Sequence, residues 1–594
     1  MTDFAQFALY ETQVISRSRD MKSMMVQIPA LPRSVPKQNG GPTVSTLGSN
    51  WRWVVEDGWQ RPVNINGYSA SAAFKLRPPE YPSIFGFGFK NEDESASLDQ
   101  FLAVYSDNAY ICVGAFGLCL THIPDPLYWG IWYPVFKIWV NSSGGSCVGM
   151  SSTSLLFYRG SLNIANFSSD AFFPAGIKDR GAPAKWNYDS ISKVTGPPEP
   201  GNLWAEIRMN HGVQTTSEFL YEAVNQLNGF SGDPEQRLYT IRAGPTSFIA
   251  SMMKTSGGHA VTPYATTGNR IHIYDNNNPL ALGQYIDVDT AANTYSSSTS
   301  FSGTGLFAIP INVWQGEHTM PLDLPQIAMN LVFGSADALY STPDGKRWGW
   351  QPDGAFVEEI PGATPFVPMG SETNTHNMPL FVPFTTTVVS NIQVNTKGGD
   401  YLYYTGAGGN AAQLQVFDAP AGDQDQVGVK TAQNQVNGFS YQPESASDSF
   451  VPKLGMELGV QQRLMFRWAD LATPGGGKVA FSADRDARSA EYDNDTGGAT
   501  NHYLIVDSYD GAAQQGGAWR FGPFTVPNGA TQRTTVANWP IGSQLRSELD
   551  KDGDGVFEES TVVRGVKCSA VDLDEDGLPD ACGDLYLPTL LKAK

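Results

Sequence analysis

The sequence has few charged residues, and its acidic residues outnumber its basic ones. Asp, Glu, Lys and Arg make up 16% of the 594 residues, and 59 acidic against 39 basic side chains give a formal net charge of −20. Nucleic acids and anionic membranes repel an acidic surface, so we expect neither as a partner. The N-terminal region lacks a charged start followed by an apolar run, so we see no signal peptide in this chain.

Long hydrophobic runs are also lacking. The most apolar stretch, 127–140, contains Pro134 and Lys137 and is too short to span a bilayer, so we expect no transmembrane segment. We interpret this stretch as a buried strand or loop of the core. The chain is too long for one core, and its 61 Gly, 39 Pro and 12% aromatic residues are typical of several strand-rich domains with many turns.

Cysteine is scarce, which excludes a disulfide-dense scaffold. The five cysteines are Cys112, Cys119, Cys147, Cys568 and Cys582. An odd number fits two pairs and one free thiol, which would be Cys147. Cys112 and Cys119 lie in a strand-like run and could form either a disulfide or two buried thiols.

Local composition divides the chain into segments. Residues 81–90 are strand-like, helical patterns run from Cys147 to about Tyr158 and over 217–230, and regular alternation with turn residues follows 381. We predict five segments: an N-terminal extension or linker (1–64), a domain of mixed helices and strands (65–290), a Pro/Gly-rich β segment (291–380), a β-sandwich domain (381–540) and an acidic tail (541–594).

Cys147 is a candidate nucleophile. It follows Gly144, Gly145 and Ser146 at the predicted start of an apolar-periodic helix. The positive end of a helix dipole favours the thiolate, which is the nucleophilic form of cysteine, and glycines allow a substrate backbone to approach. Alone this pattern is weak, because most buried cysteines are inert.

His259 and Asp275 are its candidate partners. His259 follows two glycines at the start of one predicted strand, and Asp275 ends the next strand sixteen residues later. The two ends of a hairpin lie side by side, so the carboxylate can hold the imidazole Nδ1–H and leave Nε2 to face a thiol. Asn276 is an alternative to Asp275, and we interpret His272, in the same hairpin, as structural. The alternative for His259 is a packed strand histidine.

The segments GGSCVGMS, GGHAVTPYA and IHIYDNNNP together resemble the papain-like cysteine peptidase superfamily. The resemblance implies a Cys147–His259–Asp275 triad, with Asn141 as oxyanion donor at the position, six residues before the cysteine, where the family has Gln. Two features depart from the family. Val148 stands where papain-type enzymes carry an aromatic residue. The separation of 112 residues between cysteine and histidine is shorter than the roughly 130–150 of papain.

The resemblance implies a peptidase that hydrolyses peptide or amide bonds of a protein or peptide substrate through a thiol acyl-enzyme. No cofactor is then needed for catalysis. Two alternatives stay open: a transglutaminase-like acyl transferase, and a non-catalytic surface or adhesion protein that keeps a papain-like domain.

The tail contains two spaced sets of carboxylates with a glycine at the sixth position. The first is Asp550, Asp552, Asp554 and Glu558, and the second is Asp572, Asp574, Asp576 and Asp580. Converging carboxylates bind a hard cation, so we predict structural Ca²⁺. The twelfth positions are Thr561 and Gly583, so a full EF-hand is not expected; the alternative is a solvated acidic linker.

The second set, with Cys568 upstream, resembles a thrombospondin type 3 calcium-binding repeat, in which the cysteines pair. A cysteine pair indicates an oxidising, extracellular setting. We therefore expect an α+β papain-like catalytic domain, followed by all-β, sandwich-like modules and a calcium-binding acidic tail. We expect the protein to be secreted or at the cell surface, with the β modules attaching it to a surface or polymer.

Overall fold

The computed structural model describes residues 13–17, 24–27, 34–35, 44–45, 80–91, 96–115, 118–168, 171, 173–177, 203–279, 281–322, 324–370, 378–383 and 388–568. In the N-terminal extension the described backbone forms two short hairpins: β1 (Gln13–Arg17) with β2 (Met24–Gln27), and β3 (Ser34–Val35) with β4 (Val44–Ser45). The second acidic set, Asp572 to Asp580, lies outside the described residues.

The described helices all precede the large β region. They are α1 (Glu80–Phe85), α2 (Leu98–Tyr105), α3 (Tyr133–Ser142), α4 (Cys147–Arg159), α5 (Leu203–Gly212), α6 (Ser217–Val224) and α7 (Pro234–Ala243), with a π-helix (Leu127–Trp132) leading into α3. A hairpin of β5 (Tyr110–Ala115) and β6 (Leu118–Pro124) separates α2 from the π-helix.

Helix α4 is the central helix of this region. Small side chains on α4 allow close packing, because a Cβ on Gly149 would lie 2.8 Å from the Cβ of His211 on α5. The helix ends at Gly160, whose φ of 74° and ψ of 16° give a left-handed C-cap. The helix predicted from Cys147 to about Tyr158 is therefore confirmed.

An antiparallel sheet of seven strands packs beside the helices. Its spatial order is β12-β11-β10-β9-β8-β7-β13. The strands are β7 (Phe248–Lys254), β8 (Gly257–Thr267), β9 (Arg270–Tyr274), β10 (Tyr285–Asp289), β11 (Thr294–Ser297), β12 (Ser302–Gly303) and β13 (Leu306–Pro310). The sheet places β8 and β9 next to each other near its centre, which confirms the predicted hairpin.

The remaining strands, 19 in number, form a second antiparallel system. They are β14 (Ile327–Ser341), β15 (Arg347–Trp350), β16 (Phe356–Glu358), β17 (Thr364–Pro365), β18 (Leu380–Pro383), β19 (Asn391–Ala407), β20 (Asn410–Ala432), β21 (Gln435–Gln442), β22 (Ser447–Gly459), β23 (Gln462–Ala469), β24 (Leu471–Thr473), β25 (Lys478–Asp484), β26 (Ser489–Asp495), β27 (Thr500–Asp510), β28 (Gln515–Val526), β29 (Thr531–Val536), β30 (Gln544–Asp550), β31 (Glu559–Arg564) and β32 (Val566–Cys568).

Additional pairings fold this system back on itself into a nearly closed, barrel-like sheet: β14 with β18 and β19, β20 with β22, β21 with β25, β22 with β24, β23 with β27, β26 with β29, and β28 with β32. The chain is thus α+β in its first part and all-β in its second. The strands of the predicted 291–380 segment divide between the two sheets, so its limits do not coincide with sheet boundaries.

The β region packs directly on the π-helix. Lys453 Nζ donates to the carbonyl of Gly130 at 2.9 Å, and Gln413 Nε2 donates to that of Ile131 at 2.7 Å. Arg463 forms an ion pair of 2.9 Å with Asp125 just before this helix. Buried charged and amide groups need partners, and here the partners cross between the two regions.

Two local predictions were wrong. The apolar stretch 127–140 is helical rather than a strand or loop, and residues 80–85 at the start of the predicted 81–90 strand form α1. Short apolar runs carry no periodicity that separates strand from helix. Within the described ranges, no helix has the length and apolar character needed to cross a membrane.

Candidate active site

Cys147 is the first residue of α4 and a free, fully buried thiol. Gly144 and Gly145, both with positive φ, turn the chain from α3 into α4. The backbone N–H of Ala260 on β8 donates to Cys147 Sγ at 3.3 Å. The sulfur therefore lies at the N-terminus of α4 and is held against β8 by a backbone donor.

His259 on β8 lies between Cys147 and Asp275. Its Nε2 is 2.9 Å from Oδ1 of Asp275, and the Cys147 side chain is near enough to the ring to raise its pKa. Because Nε2 faces the carboxylate, Nδ1 is the nitrogen left for the sulfur. The predicted roles of the two ring nitrogens were therefore the wrong way round, since a hairpin fixes which residues meet but not the rotation of the ring.

Asp275, directly after β9, is held on both of its carboxylate oxygens. Oδ1 also accepts from the backbone N–H of Asn277 at 3.0 Å, and Oδ2 accepts from Asn278 Nδ2 at 2.6 Å. These bonds aim the carboxylate at His259. The choice between Asp275 and Asn276 as the histidine's partner is settled by this contact in favour of Asp275.

Charge within the group favours a protonated histidine. Burial lowers the pKa of His259, but the interactions with the Asp275 carboxylate and the Cys147 sulfur outweigh burial and raise that pKa to about 10. Burial raises the pKa of Asp275, yet the bonds from His259, Asn278 and Asn277 bring it below its usual value. The arrangement stabilises an imidazolium between two acidic groups.

Asn276 has a different role from the one considered for it. It is fully buried, and its Nδ2 lies within hydrogen-bond distance of the Cys147 carbonyl (3.1 Å), Ser151 Oγ (2.9 Å) and the Ala260 carbonyl (2.9 Å). Ser151 Oγ itself donates to the Ala260 carbonyl at 2.9 Å. Asn276 therefore fixes the start of α4 against β8, and with it the distance between the thiol and the imidazole.

Asn141, the expected oxyanion donor, is not part of this group. It is an exposed residue near the end of α3, and its Oδ1 accepts from the backbone N–H of Ala96 at 2.6 Å. The turn through Ser143 to Ser146 separates its side chain from the cysteine. Counting six residues back from the cysteine does not predict the direction of a side chain across such a turn.

Asn91 is the amide side chain that sequence reasoning missed. Its Oδ1 accepts from the N–H of Ser146 at 2.6 Å, and its Nδ2 donates to Asn277 Oδ1 at 3.0 Å. Its backbone N–H donates to the Asn276 carbonyl at 3.1 Å. Asn91 thus links the residue before Cys147 to the turn that carries Asp275. It lies 55 residues from Ser146 in sequence, and no local pattern marks it.

The first acidic set comes together in the turn between β30 and β31. One carboxylate oxygen from each of Asp550, Asp552, Asp554 and Glu558 lies within 4.8 Å of the others. The N–H groups of Gly553 and Gly555 donate to the two oxygens of Asp550 at 2.7 and 2.8 Å and shape the turn. These four residues could hold a metal ion.

The described cysteines are of two kinds. Cys147 is free, whereas Cys568 is disulfide-bonded, and its partner sulfur lies outside the described side chains. The side chains of Cys112 and Cys119 also lie outside them. The expectation for that pair stays a prediction.

Comparisons of the chain with protein-family models, with curated proteins and with solved structures found no match. The chemical capability of the site therefore rests on its own geometry. A buried thiol, an imidazole in contact with it and a carboxylate behind the imidazole are the groups required for nucleophilic attack on a carbonyl carbon.

Proposed function

We propose that the protein is a cysteine peptidase of the papain-like type that uses Cys147, His259 and Asp275. The observation that supports this most directly is the position of the thiol at the first residue of α4, in contact with an imidazole whose far nitrogen is held by a buried carboxylate. A histidine packed for stability alone has no need of a free thiol on one side and a carboxylate on the other.

The proposed reaction proceeds through an acyl-enzyme. The Cys147 thiolate attacks the carbonyl carbon of a peptide bond, and the His259 imidazolium gives its proton to the leaving amine as the C–N bond breaks. A water molecule then loses a proton to His259 and attacks the thioester carbonyl. The C–S bond breaks, releasing a carboxylic acid and restoring the thiolate–imidazolium pair.

Stabilisation of the oxyanion needs donors near the sulfur. The N–H groups at the start of α4 are one source. We propose Asn91 as the side-chain donor in place of Asn141, because a Cβ built on Gly145 would lie 2.8 Å from Asn91 Nδ2. Its amide is thereby placed beside the residues that precede the nucleophile.

The test combines labelling with hydrolysis. We expect iodoacetamide or an epoxide probe to modify Cys147 ahead of the other cysteines, as mapped by peptide mass spectrometry. We expect Cys147→Ala and His259→Ala each to lower hydrolysis of a fluorogenic peptide by about 10³-fold or more while the fold is kept. His272→Ala is the matched control, since this histidine on β9 contacts Thr267 rather than the thiol.

Unchanged hydrolysis in Cys147→Ala would refute the assignment. Incorporation of a labelled amine into a glutamine peptide, with little hydrolysis, would identify the transglutaminase-like alternative instead. Labelling of Cys147 without turnover of any peptide or amine would favour the non-catalytic surface protein.

We propose further that the protein works outside the cell with Ca²⁺ bound to its tail. The disulfide of Cys568 supports an oxidising compartment, and the four converging carboxylates supply the oxygen ligands that Ca²⁺ prefers. Attachment to a surface or polymer through the β region stays a prediction.

A further inference from the structure

A segment of the β region packs beside the candidate active site. Residues 366–370, here called the strap, follow β17, and the side chains of Phe366, Val367 and Met369 are fully buried. The Phe366 ring packs on Trp139 of α3, with ring centroids 5.8 Å apart. The strap is thus seated in the α+β part of the molecule although the chain before it belongs to the large sheet.

The strap meets the residue that precedes the proposed base. The backbone N–H of Gly370 donates to the carbonyl of Gly258 at 3.0 Å, and Gly258 stands directly before His259. Met369 lies so close that a Cβ on Gly258 would be 2.6 Å from its Sδ. The N–H of Met369 is held by Gln214 Oε1 at 2.8 Å. These backbone contacts have the form in which a cleft holds an extended peptide.

The strap also meets the turn that precedes the nucleophile. A Cβ on Gly145 would lie 3.1 Å from the carbonyl oxygen of Gly370 and 2.8 Å from Asn91 Nδ2. The Gly370 carbonyl and the Asn91 amide are therefore beside the same glycine, two residues before Cys147. Cys147 is 0% exposed and His259 2% exposed, so both lie beneath the surface at the place where the strap packs on their neighbouring residues.

Only glycine fits the end of the strap. A Cβ on Gly370 would collide with the carbonyl oxygen of Gly145 and would lie 2.8 Å from that of Ser143. The φ of Gly370 is +133°, a conformation that other residues rarely adopt. The restriction is made by rigid backbone atoms, which cannot move aside as a flexible side chain could.

We propose that the acyl side of this site accepts a peptide with glycine as the residue whose carbonyl is attacked, and that Gly370 of the strap occupies this position as a built-in competitor. The substrate class rests on the proposed peptidase function, whereas the competition for the site does not.

The first experiment measures access to the thiol. Gly370→Ala should release the strap and raise the rate of Cys147 alkylation by iodoacetamide by about tenfold or more. Gly354→Ala is the matched control, because Gly354 also has positive φ but has nothing within 4 Å of its Cβ position. Met369→Ala is a second variant that loosens the strap without adding atoms, in case Gly370→Ala does not fold, as judged by circular dichroism.

An unchanged alkylation rate in folded Gly370→Ala and Met369→Ala would overturn the strap's role as a competitor. The second experiment uses substrates taken from the chain itself: acetyl-Phe-Val-Pro-Met-Gly-aminomethylcoumarin and its Met-Ala counterpart, with the folded strap variant as enzyme. We expect kcat/KM to be about tenfold or more higher for the glycine substrate. Equal rates would refute glycine selection.

The two proposals fail in different ways. Faster alkylation with no hydrolysis of either peptide would support the proposal that the strap limits access to Cys147. It would refute the peptidase function. Hydrolysis that depends on Cys147, without faster alkylation in the strap variants, would support the peptidase function. It would refute the proposal that the strap competes with substrate.

Discussion

Replacement of Asp275 by Asn removes the negative charge beside His259 but keeps the shape of the side chain. Asn has nearly the size of Asp, and its carbonyl can still accept from Nε2 of His259. The amide group would meet Nδ2 of Asn278, but Asn278 is exposed and its side chain can turn to present its oxygen instead. We therefore expect the variant to fold with the hydrogen bond kept and the charge removed.

The expected effect is a fall in the pKa of His259. An opposite charge within hydrogen-bond distance raises a histidine pKa by about 1–3 units, or about 1.4–4 kcal/mol, so its removal should lower the value from about 10 by this amount. The imidazolium exists below the pKa and is lost as pH rises through it. The alkaline limb of kcat/KM should therefore move to lower pH in Asp275→Asn.

The assay is the pH profile of peptide hydrolysis. It is measured for the protein with Asp275 and for Asp275→Asn, both carrying the same strap substitution. Asp287→Asn is the control: its ion pair with Arg270 lies in the same sheet but is exposed, and it should leave the profile unchanged. An alkaline limb that stays in place in Asp275→Asn would show that this carboxylate does not hold the proton of His259.

Two further results are expected. Asn276→Ala should lower the free energy of unfolding by about 1–3 kcal/mol, because the buried Ser151 hydroxyl and Ala260 carbonyl lose a donor. A melting curve equal to that of the unmodified protein would contradict this role of Asn276. Ca²⁺ should raise the melting temperature and EDTA should reverse the rise, and Asp552→Asn with Asp554→Asn should abolish it; no shift with Ca²⁺ would reduce the tail to an acidic linker.

The parts of the site that local pattern determines could be predicted from the sequence. The small residues before Cys147 mark the start of α4, and the turn between β8 and β9 brings His259 near the end of β9. The decision between Asp275 and Asn276 could not be made this way. The pairing of β8 with β9 shifts between Pro263 and Ala265, and a shift of one residue moves every later side chain to the other face.

Other parts depend on contacts that sequence spacing does not encode. The run 127–140 is largely buried, and a mostly apolar run has no clear periodicity to separate helix from strand. Asn141 has the right residue type at the family's spacing, yet the turn before α4 directs it toward Ala96. Asn91 reaches Ser146 from a segment with no motif of its own, so only the fold reveals it.

The strap also depends on contacts between residues that are distant in sequence, and these contacts bear on the proposed function. The peptidase proposal requires a reactive thiol that a substrate can reach, yet Cys147 and His259 are buried. Packing alone could use any small residue at position 370, but the contacts of Gly370 are with the backbone before the thiol and before the base, and the position tolerates no Cβ. The carbonyl oxygens of Gly145 and Ser143 occupy the space that a side chain at position 370 would need. The glycine is better explained by a site that must hold a main chain there, first its own and then that of a substrate.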